Sequence, residues 1–268
     1  MKPFLKWVGG KQQIVDNLLK IFPKEIDTYH EPFLGGGSVL LALLESDVIA
    51  KEIRVNDLNP YLIQTFVDVR DDVDGLVDEL NKLCNDKAFY YESRNRFNEL
   101  KKNGVKNTET SALFIFLNKT GFRGLHREGP HGFNVPFGHY KNPRFFNESA
   151  LRKCSELIKN VKFSSVSYEE FLKNVQETDF VYLDPPYAPE TSTSFTKYNA
   201  QDFLDHDSFF RVVKSLPRFL MSNSRATTIV DSFPEDEYDV RVISCRRSIN
   251  SKNPGATADE VLISNFLA

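Results

Sequence analysis

Cysteine is nearly absent from this chain, and the three present, Cys84, Cys154 and Cys245, stand far apart with no metal-ligand or redox spacing. That excludes a disulfide-stapled scaffold and a cysteine-based metal centre, so no metal and a reducing compartment are expected. Long apolar runs are also missing. No stretch approaches the ~18 residues of a membrane span, and Met1-Lys2-Pro3-Phe4 opens no apolar leader. A soluble, intracellular protein without membrane association is expected. Charge of one sign is lacking too, since 34 Lys and Arg face 37 Asp and Glu for a net −3. A polyanionic partner would therefore have to be met by a local patch. Neither G-x-G-x-x-G nor G-x-x-x-x-G-K-[ST] occurs, which removes the usual pyrophosphate fingerprints and weakens a nicotinamide oxidoreductase reading.

What the chain does have is core material. Hydrophobic residues make up 41% of 268 positions, and phenylalanine alone accounts for 23. That length suits one large domain, or a core carrying an inserted module. The pattern begins with strand–turn–helix alternation. Ile14, Leu18, Leu19 and Ile21 recur at helical spacing until Pro23 stops them, and Thr28 to Phe33 reads as a strand. The glycine-rich turn Leu34-Gly35-Gly36-Gly37-Ser38 leads into a helix from Val39, and Lys51 to Asp57 reads as a second strand ending in an acid. This order is that of a nucleotide-binding α/β half. From Val67 to Lys106 the chain is charged and helical, and Ser111 to Leu117 reads as a buried helix. Asn118 to Phe146 has no period and reads as a loop or hairpin region. The α/β rhythm then returns, with strands expected at Val161–Val166, Phe180–Leu183 and Phe219–Asn223, and a helix at Tyr168–Val175. Tyr238–Ile243 and Glu260–Phe266 read as strands able to pair at a sheet edge. The resulting expectation is a catalytic layer, residues 1–66 and 154–268, interrupted by an insert at 67–153.

The most informative residues are Asp184-Pro185-Pro186-Tyr187, directly after the apolar strand Phe180–Leu183. Two prolines fix φ and remove backbone donors, leaving the neighbouring carbonyls as acceptors. With the Asp184 carboxylate and the flat face of Tyr187, the segment forms an acceptor pocket with an aromatic wall. Such a pocket suits an exocyclic amine on a planar base, the geometry needed to methylate an amino group of adenine or cytosine. Extracting a base from its stack costs a few kcal/mol, which stacking on Tyr187 offsets in part.

Other segments support a site around these residues. In Glu31-Pro32-Phe33-Leu34-Gly35-Gly36-Gly37 the glycines allow a close backbone approach, although an ordinary tight strand–helix turn has the same composition. Asp57, ending the second strand in Asn56-Asp57-Leu58-Asn59, is placed to accept from ribose hydroxyls or simply to cap the next helix. In Phe4-Leu5-Lys6-Trp7-Val8-Gly9-Gly10-Lys11 the sole tryptophan is either a core anchor or part of a loop lining the site, with Lys11 near a carboxylate or phosphate. Between Asn118 and Lys153, seven Lys or Arg stand against two Glu, interleaved with glycine and aromatics, which favours a DNA-facing surface over a solvated loop. Arg246-Arg247-Ser248-Ile249-Asn250-Ser251-Lys252 is either a phosphate contact or a plain exposed hairpin.

Taken together these segments resemble the Dam-like (D12 class) DNA adenine-N6 methyltransferases. Phe4-Leu5-Lys6-Trp7 with Gly9-Gly10-Lys11, Glu31-Pro32-Phe33 with Gly35-Gly36-Gly37-Ser38, Asn56-Asp57-Leu58-Asn59, Phe133-Asn134-Val135-Pro136-Phe137-Gly138, Asp184-Pro185-Pro186-Tyr187, Phe195-Thr196-Lys197-Tyr198 and Ser222-Asn223 carry the likeness, in that family's order. The resemblance implies a Rossmann-like S-adenosylmethionine-dependent core with an inserted, mainly helical target-recognition domain carrying a β-hairpin. It assigns Trp7, Lys11, Glu31, Phe33, Gly35, Asp57 and Asp184 to the cofactor, and Asp184, Pro185, Pro186 and Tyr187 to a flipped adenine. Lys119, Arg123, Leu125, Arg127, Asn134, Tyr140 and Lys141 are the expected contacts to double-stranded DNA. A monomer or weak dimer is expected, and a restriction endonuclease acting on the same site is a candidate partner. GATC is the first guess at the target, although Arg127-Glu128-Gly129-Pro130-His131-Gly132 is shorter than that family's hairpin and carries a proline. Cytosine-N4 or RNA amino-methylation and a catalytically silent DNA-binding module are the alternatives.

Overall fold

A computed structural model describes residues 1–187, 204–246 and 257–267. Phe195-Thr196-Lys197-Tyr198 and residues 247–252 of the basic loop lie outside the described residues. The described strands are β1 (Glu25–Glu31), β2 (Ile49–Asn56), β3 (Glu128–Gly129), β4 (Gly132–Phe133), β5 (Lys162–Ser164), β6 (Phe180–Leu183), β7 (Phe219–Ser224), β8 (Asp239–Arg246) and β9 (Thr257–Ser264). The helices are α1 (Val15–Ile21), α2 (Ser38–Leu44), α3 (Pro60–Asp71), α4 (Val73–Asn81), α5 (Lys87–Lys102), α6 (Thr108–Thr120), α7 (Glu148–Leu157), α8 (Tyr168–Leu172), α9 (His206–Lys214) and α10 (Thr227–Ser232).

Seven strands form one sheet in the order β5-β2-β1-β6-β7-β9-β8. All neighbours from β5 to β7 are parallel, while β9 runs antiparallel to both β7 and β8. The edge pair expected near the C-terminus is thus present, with β9 inserted between β7 and β8. A parallel sheet must be covered on both faces, and the period-2 alternation of its strands shows that cover. Phe180, Tyr182, Leu220 and Leu262 pack into one apolar cluster with α1, α2 and the central helices. Their neighbours Val181, Leu183, Phe219, Met221, Val261 and Ile263 pack into a second cluster with α9 and α10. This is a doubly wound α/β architecture.

Between β2 and β5 the chain is mainly helical. Its helix starts are marked by acids and amides: Asn59 caps α3, Asp72 caps α4, Asp86 caps α5, Asn107 caps α6 and Asn147 caps α7. Helix α3 runs unbroken across residue 66 and α7 across residue 153. The Asp68 carboxylate of α3 accepts from the Ser111 hydroxyl of α6 at 2.6 Å, inside the same apolar cluster that covers the sheet. The aperiodic region is shorter than the sequence suggests, because the buried run Ser111–Leu117 carries α6 on through Thr120. Within it, β3 and β4 form a tight hairpin with Pro130 and His131 at its tip and Gly132 at φ 92°. Asn98 of α5 fastens that hairpin, donating to the Phe133 carbonyl at 3.0 Å and accepting from the Phe133 amide at 2.8 Å. Among the described residues, no helix is long and apolar enough to cross a membrane.

Candidate active site

The chain travels outward from β1 through β2 to β5, then returns to β6 on the other side of β1. The order therefore reverses between β1 and β6, and ligands of open α/β sheets bind outside the strand C-termini at such a switch point. Glu31 ends β1, Asp57 follows β2 and Asp184 follows β6, so three acids emerge at this edge. Register and pleat bring two of them onto one face. Tyr29 is opposite Phe180 and His30 opposite Val181, so Glu31 shares its face with Tyr29, Tyr182 and Asp184.

Lys11 organises the centre. Its backbone amide donates to the Ser38 hydroxyl at 3.1 Å, tying the Gly9-Gly10 turn to the start of α2. Its buried ammonium donates to the Gly9 carbonyl at 2.8 Å and lies 2.8 Å from Asp184 Oδ1 and 3.9 Å from Glu260 Oε2. The same ammonium sits over the Tyr187 ring, 4.8 Å from its centroid, while the Tyr187 hydroxyl donates to Glu260 Oε2 at 2.8 Å. Of the two prolines, Pro185 is buried and Pro186 exposed. Burial raises the Asp184 carboxyl above its ordinary range, and the adjacent Lys11 ammonium opposes that rise.

Trp7 forms the second wall. Asn118 of α6 holds the segment before it, accepting from the Lys6 amide at 2.8 Å and donating to the Lys6 carbonyl at 2.7 Å. The Trp7 indole lies against the glycine turn so closely that a Cβ on Gly35 would stand 2.7 Å from its Cδ1, and one on Gly36 2.9 Å from its Cβ. Gly35 also has φ 50°, so glycine is required here on two counts. The indole is also stacked on His126, with centroids 5.6 Å apart. His126 reaches Asn59 Nδ2 at 3.3 Å and Glu128 at 3.0 Å, joining the hairpin to this wall. Trp7 is thus both packed and beside the site.

Asp57 fastens the loops around the glycine turn: its Oδ2 accepts from the Gly35 amide at 2.9 Å and its Oδ1 from the Asn59 amide at 2.9 Å. The alternative role as a helix cap falls to Asn59, whose side chain accepts from Tyr61 and Leu62. Half-buried Phe33 packs against Tyr168 and Phe209 on the far side of the sheet edge. Glu31 accepts from the Tyr29 hydroxyl at 2.8 Å and is fully enclosed, so burial, with Asp184 and Asp57 nearby, raises its pKa to about 8.

This last shift gives a stability prediction. A carboxyl whose folded pKa lies above its unfolded value stabilises the fold fully below about pH 4.5 and loses that contribution as pH rises through about 8. Glu31→Gln keeps an acceptor for Tyr29 without the titration. Its stability relative to the parent should therefore climb between pH 5 and pH 9, by a few kcal/mol at most. Denaturant unfolding at both pH values measures it, and parallel profiles would contradict the shift.

The remaining expected contacts lie apart, on and around the hairpin. Arg123, Arg127, Asn134 and Lys141 are exposed, and Leu125 and Tyr140 are half-buried. Arg127 donates to Asn134 Oδ1 at 2.7 Å across the base of the hairpin. Lys119 belongs to the last turn of α6, and burial beside Lys6 lowers its pKa to about 8. Residues the sequence left unmarked are Glu260, His126 and Asn118. Glu260 carried only the signal of a strand start.

A doubly wound sheet with acids converging at its switch point, beside a glycine turn, defines an α/β enzyme of the nucleotide-binding kind. The family is set by comparison: residues 7–249 match the family of D12 class N6 adenine-specific DNA methyltransferases. The chain is 39% identical to the type II methyltransferase M.MjaIII of Methanocaldococcus jannaschii, over 99% of each chain. It is 35% identical to the DNA adenine methylase of Escherichia coli, over 75% of this chain and 71% of that one. The type II methyltransferase M1.LlaDCHI of Lactococcus lactis is 28% identical over 99% of this chain and 96% of its own. The chain therefore belongs to the D12 class and is an adenine-specific DNA methyltransferase.

Proposed function

We propose that this enzyme transfers the methyl group of S-adenosylmethionine to N6 of an adenine turned out of duplex DNA. The observation that carries the reading is the convergence of Glu31, Asp57 and Asp184 where the strand order reverses, with Lys11 and Tyr187 closing the other side. The residues suit the donor. Asp184 and Glu260 lie against the ammonium of Lys11, and Asp57 stands beside the glycine turn, so carboxylates outnumber the cation there and the site favours a positively charged ligand. A Cβ built on Gly9, at φ 80°, would meet nothing within 4 Å, so the turn is open on that side. Trp7 and the glycines form the wall on that side.

S-adenosylmethionine supplies an electrophilic methyl group on a sulfonium, so no strong base is needed on the protein. Asp184 and the Pro185 carbonyl would accept the two N6 hydrogens, stabilising the positive charge that develops there, while Tyr187 carries the base. Neither of the two cysteines with described side chains suits a nucleophile: Cys154 is buried with its thiol pushed up to about 12, and Cys84 is exposed on the helical side. Residues 67–153 would read the DNA, with Arg123, Arg127 and Lys141 at phosphates or base edges and Leu125 beside the bases. GATC remains the first target to try, within an intracellular, DNA-associated role in which a restriction endonuclease of the same specificity is a candidate partner.

The test is incubation with unmethylated duplex DNA and labelled cofactor, digestion to nucleosides and mass analysis. N6-methyladenine is expected. N4-methylcytosine, or transfer to single-stranded RNA alone, would replace this reading, and methylation-sensitive sequencing of the same DNA gives the target.

A further inference from the structure

Tyr187 lies beyond the end of β6, outside the sheet ladder, yet its ring must be held at a fixed angle to serve as the wall for a planar base. Its side-chain contacts include the Lys11 ammonium at 4.8 Å from the ring centroid, Glu260, which accepts from its hydroxyl at 2.8 Å, and the Asp184 carboxylate, a second acceptor for the same hydroxyl. Glu260 is well placed to anchor it. It sits on β9 between two neighbours, opposite Ser224 of β7 and Ile243 of β8, so its backbone is clamped on both sides. Because β9 runs against the parallel strands, its first residues border the C-terminal edge where the acids gather. Glu260 Oε2 also lies 3.9 Å from Lys11 Nζ, on the ammonium that holds Asp184.

We infer that Glu260 is a positioning residue for methyl transfer, fixing the Tyr187 ring through its hydroxyl. The inference rests on the reading of this site as the holder of the target amine. The phenol stays protonated at all working pH values, since burial and the nearby carboxylates Asp184 and Glu260 raise its pKa far above the ordinary range. Tyr187 is therefore always the donor and Glu260 the acceptor. A glutamine at 260 preserves an acceptor at the same place, whereas an alanine removes the anchor on β9 and leaves the hydroxyl only the Asp184 carboxylate at the end of β6.

The experiment is a double-mutant cycle on the full chain, with E260A and E260Q made in the parent and in the Y187F background. Methyl transfer to unmethylated duplex DNA gives kcat, and equilibrium dialysis gives the affinity for S-adenosylmethionine. E260A should lower kcat by about ten- to a hundredfold, the scale of a small misplacement of reacting groups, with cofactor affinity nearly unchanged. E260Q should recover most of that loss. In Y187F the same E260A change should cost no more than about twofold, because the shared contact is already gone. Equal losses in both backgrounds, or a loss confined to cofactor affinity, would overturn the inference.

A second readout does not depend on the reaction. With fluorotyrosine incorporated, the 19F resonance of Tyr187, assigned by its disappearance in Y187F, should be single and sharp in the parent and broadened in E260A. An unchanged resonance overturns the restraint. A changed resonance in a protein that puts no methyl group on adenine keeps the restraint and instead overturns the proposed function.

Discussion

Asp184→Ala should lower methyl transfer to adenine by about a thousandfold, the scale of removing a preorganised charge-stabilising group together with its positioning effect. The site explains why one carboxylate carries so much. Burial disfavours the charged form of Asp184, but the Lys11 ammonium at 2.8 Å opposes that rise and holds one of its oxygens. The charge is therefore fixed in place before substrate arrives, and no reorganisation is needed as positive charge grows on the amino nitrogen. Removing it leaves the Lys11 ammonium with Glu260 at 3.9 Å as its remaining ion-pair partner. A buried cation stripped of its nearest acid is destabilising, but the second acid limits the loss, so the variant should fold and still bind cofactor within about tenfold of the parent. Labelled-methyl transfer, circular dichroism and cofactor dialysis on one preparation check all three parts. Activity within tenfold of the parent would remove Asp184 from its assigned role.

Asp57→Ala should act mainly on cofactor affinity. The side chain accepts from the Gly35 and Asn59 amides at 2.9 Å each, so its loss frees the glycine turn and the start of α3 together. Hydrogen bonds to a charged group contribute about 1.5–3 kcal/mol when buried, and less at a half-buried carboxylate such as this one. With the proposed ribose contact removed as well, the dissociation constant for S-adenosylmethionine should rise on the order of a hundredfold, or about 2.7 kcal/mol. At saturating cofactor much of the transfer rate should return, which separates this variant from Asp184→Ala. A fall in thermal stability with unchanged cofactor affinity would make Asp57 a purely structural fastener.

Much of the sheet was legible because parallel strands buried on both faces must be apolar throughout. Phe180–Leu183 and Phe219–Met221 show this most plainly, and each turns out wholly enclosed. The glycine turn was legible for a related reason: three consecutive glycines between a strand and a helix have few uses other than close approach. The sequence could not show what fills the space they leave. Here it is the Trp7 indole, pressed against Gly35 and Gly36 from a segment almost thirty residues earlier. Lys119 was misread as a loop residue because the helix propensity of Asn118-Lys119-Thr120 is weak on its own, and packing of α6 carries the helix through them. His126 gave no signal among the interleaved glycines and aromatics, since its partners Trp7, Asn59 and Glu128 come from three separate parts of the chain or from across a bend.

By itself the sequence determined the alternation of strands and helices, the acids that end β1, β2 and β6, and the stiff Asp184-Pro185-Pro186-Tyr187 lip, because these are written in neighbouring residues and local conformational preference. Only the tertiary structure decided that Lys11 would join Asp184 to Glu260, and that Glu260 would reach the Tyr187 hydroxyl. That choice depends on β9 running against its neighbours, which brings the beginning of one strand to the edge where the parallel strands end. Strand direction within a sheet is set by long-range pairing and leaves no mark on the local pattern of side chains.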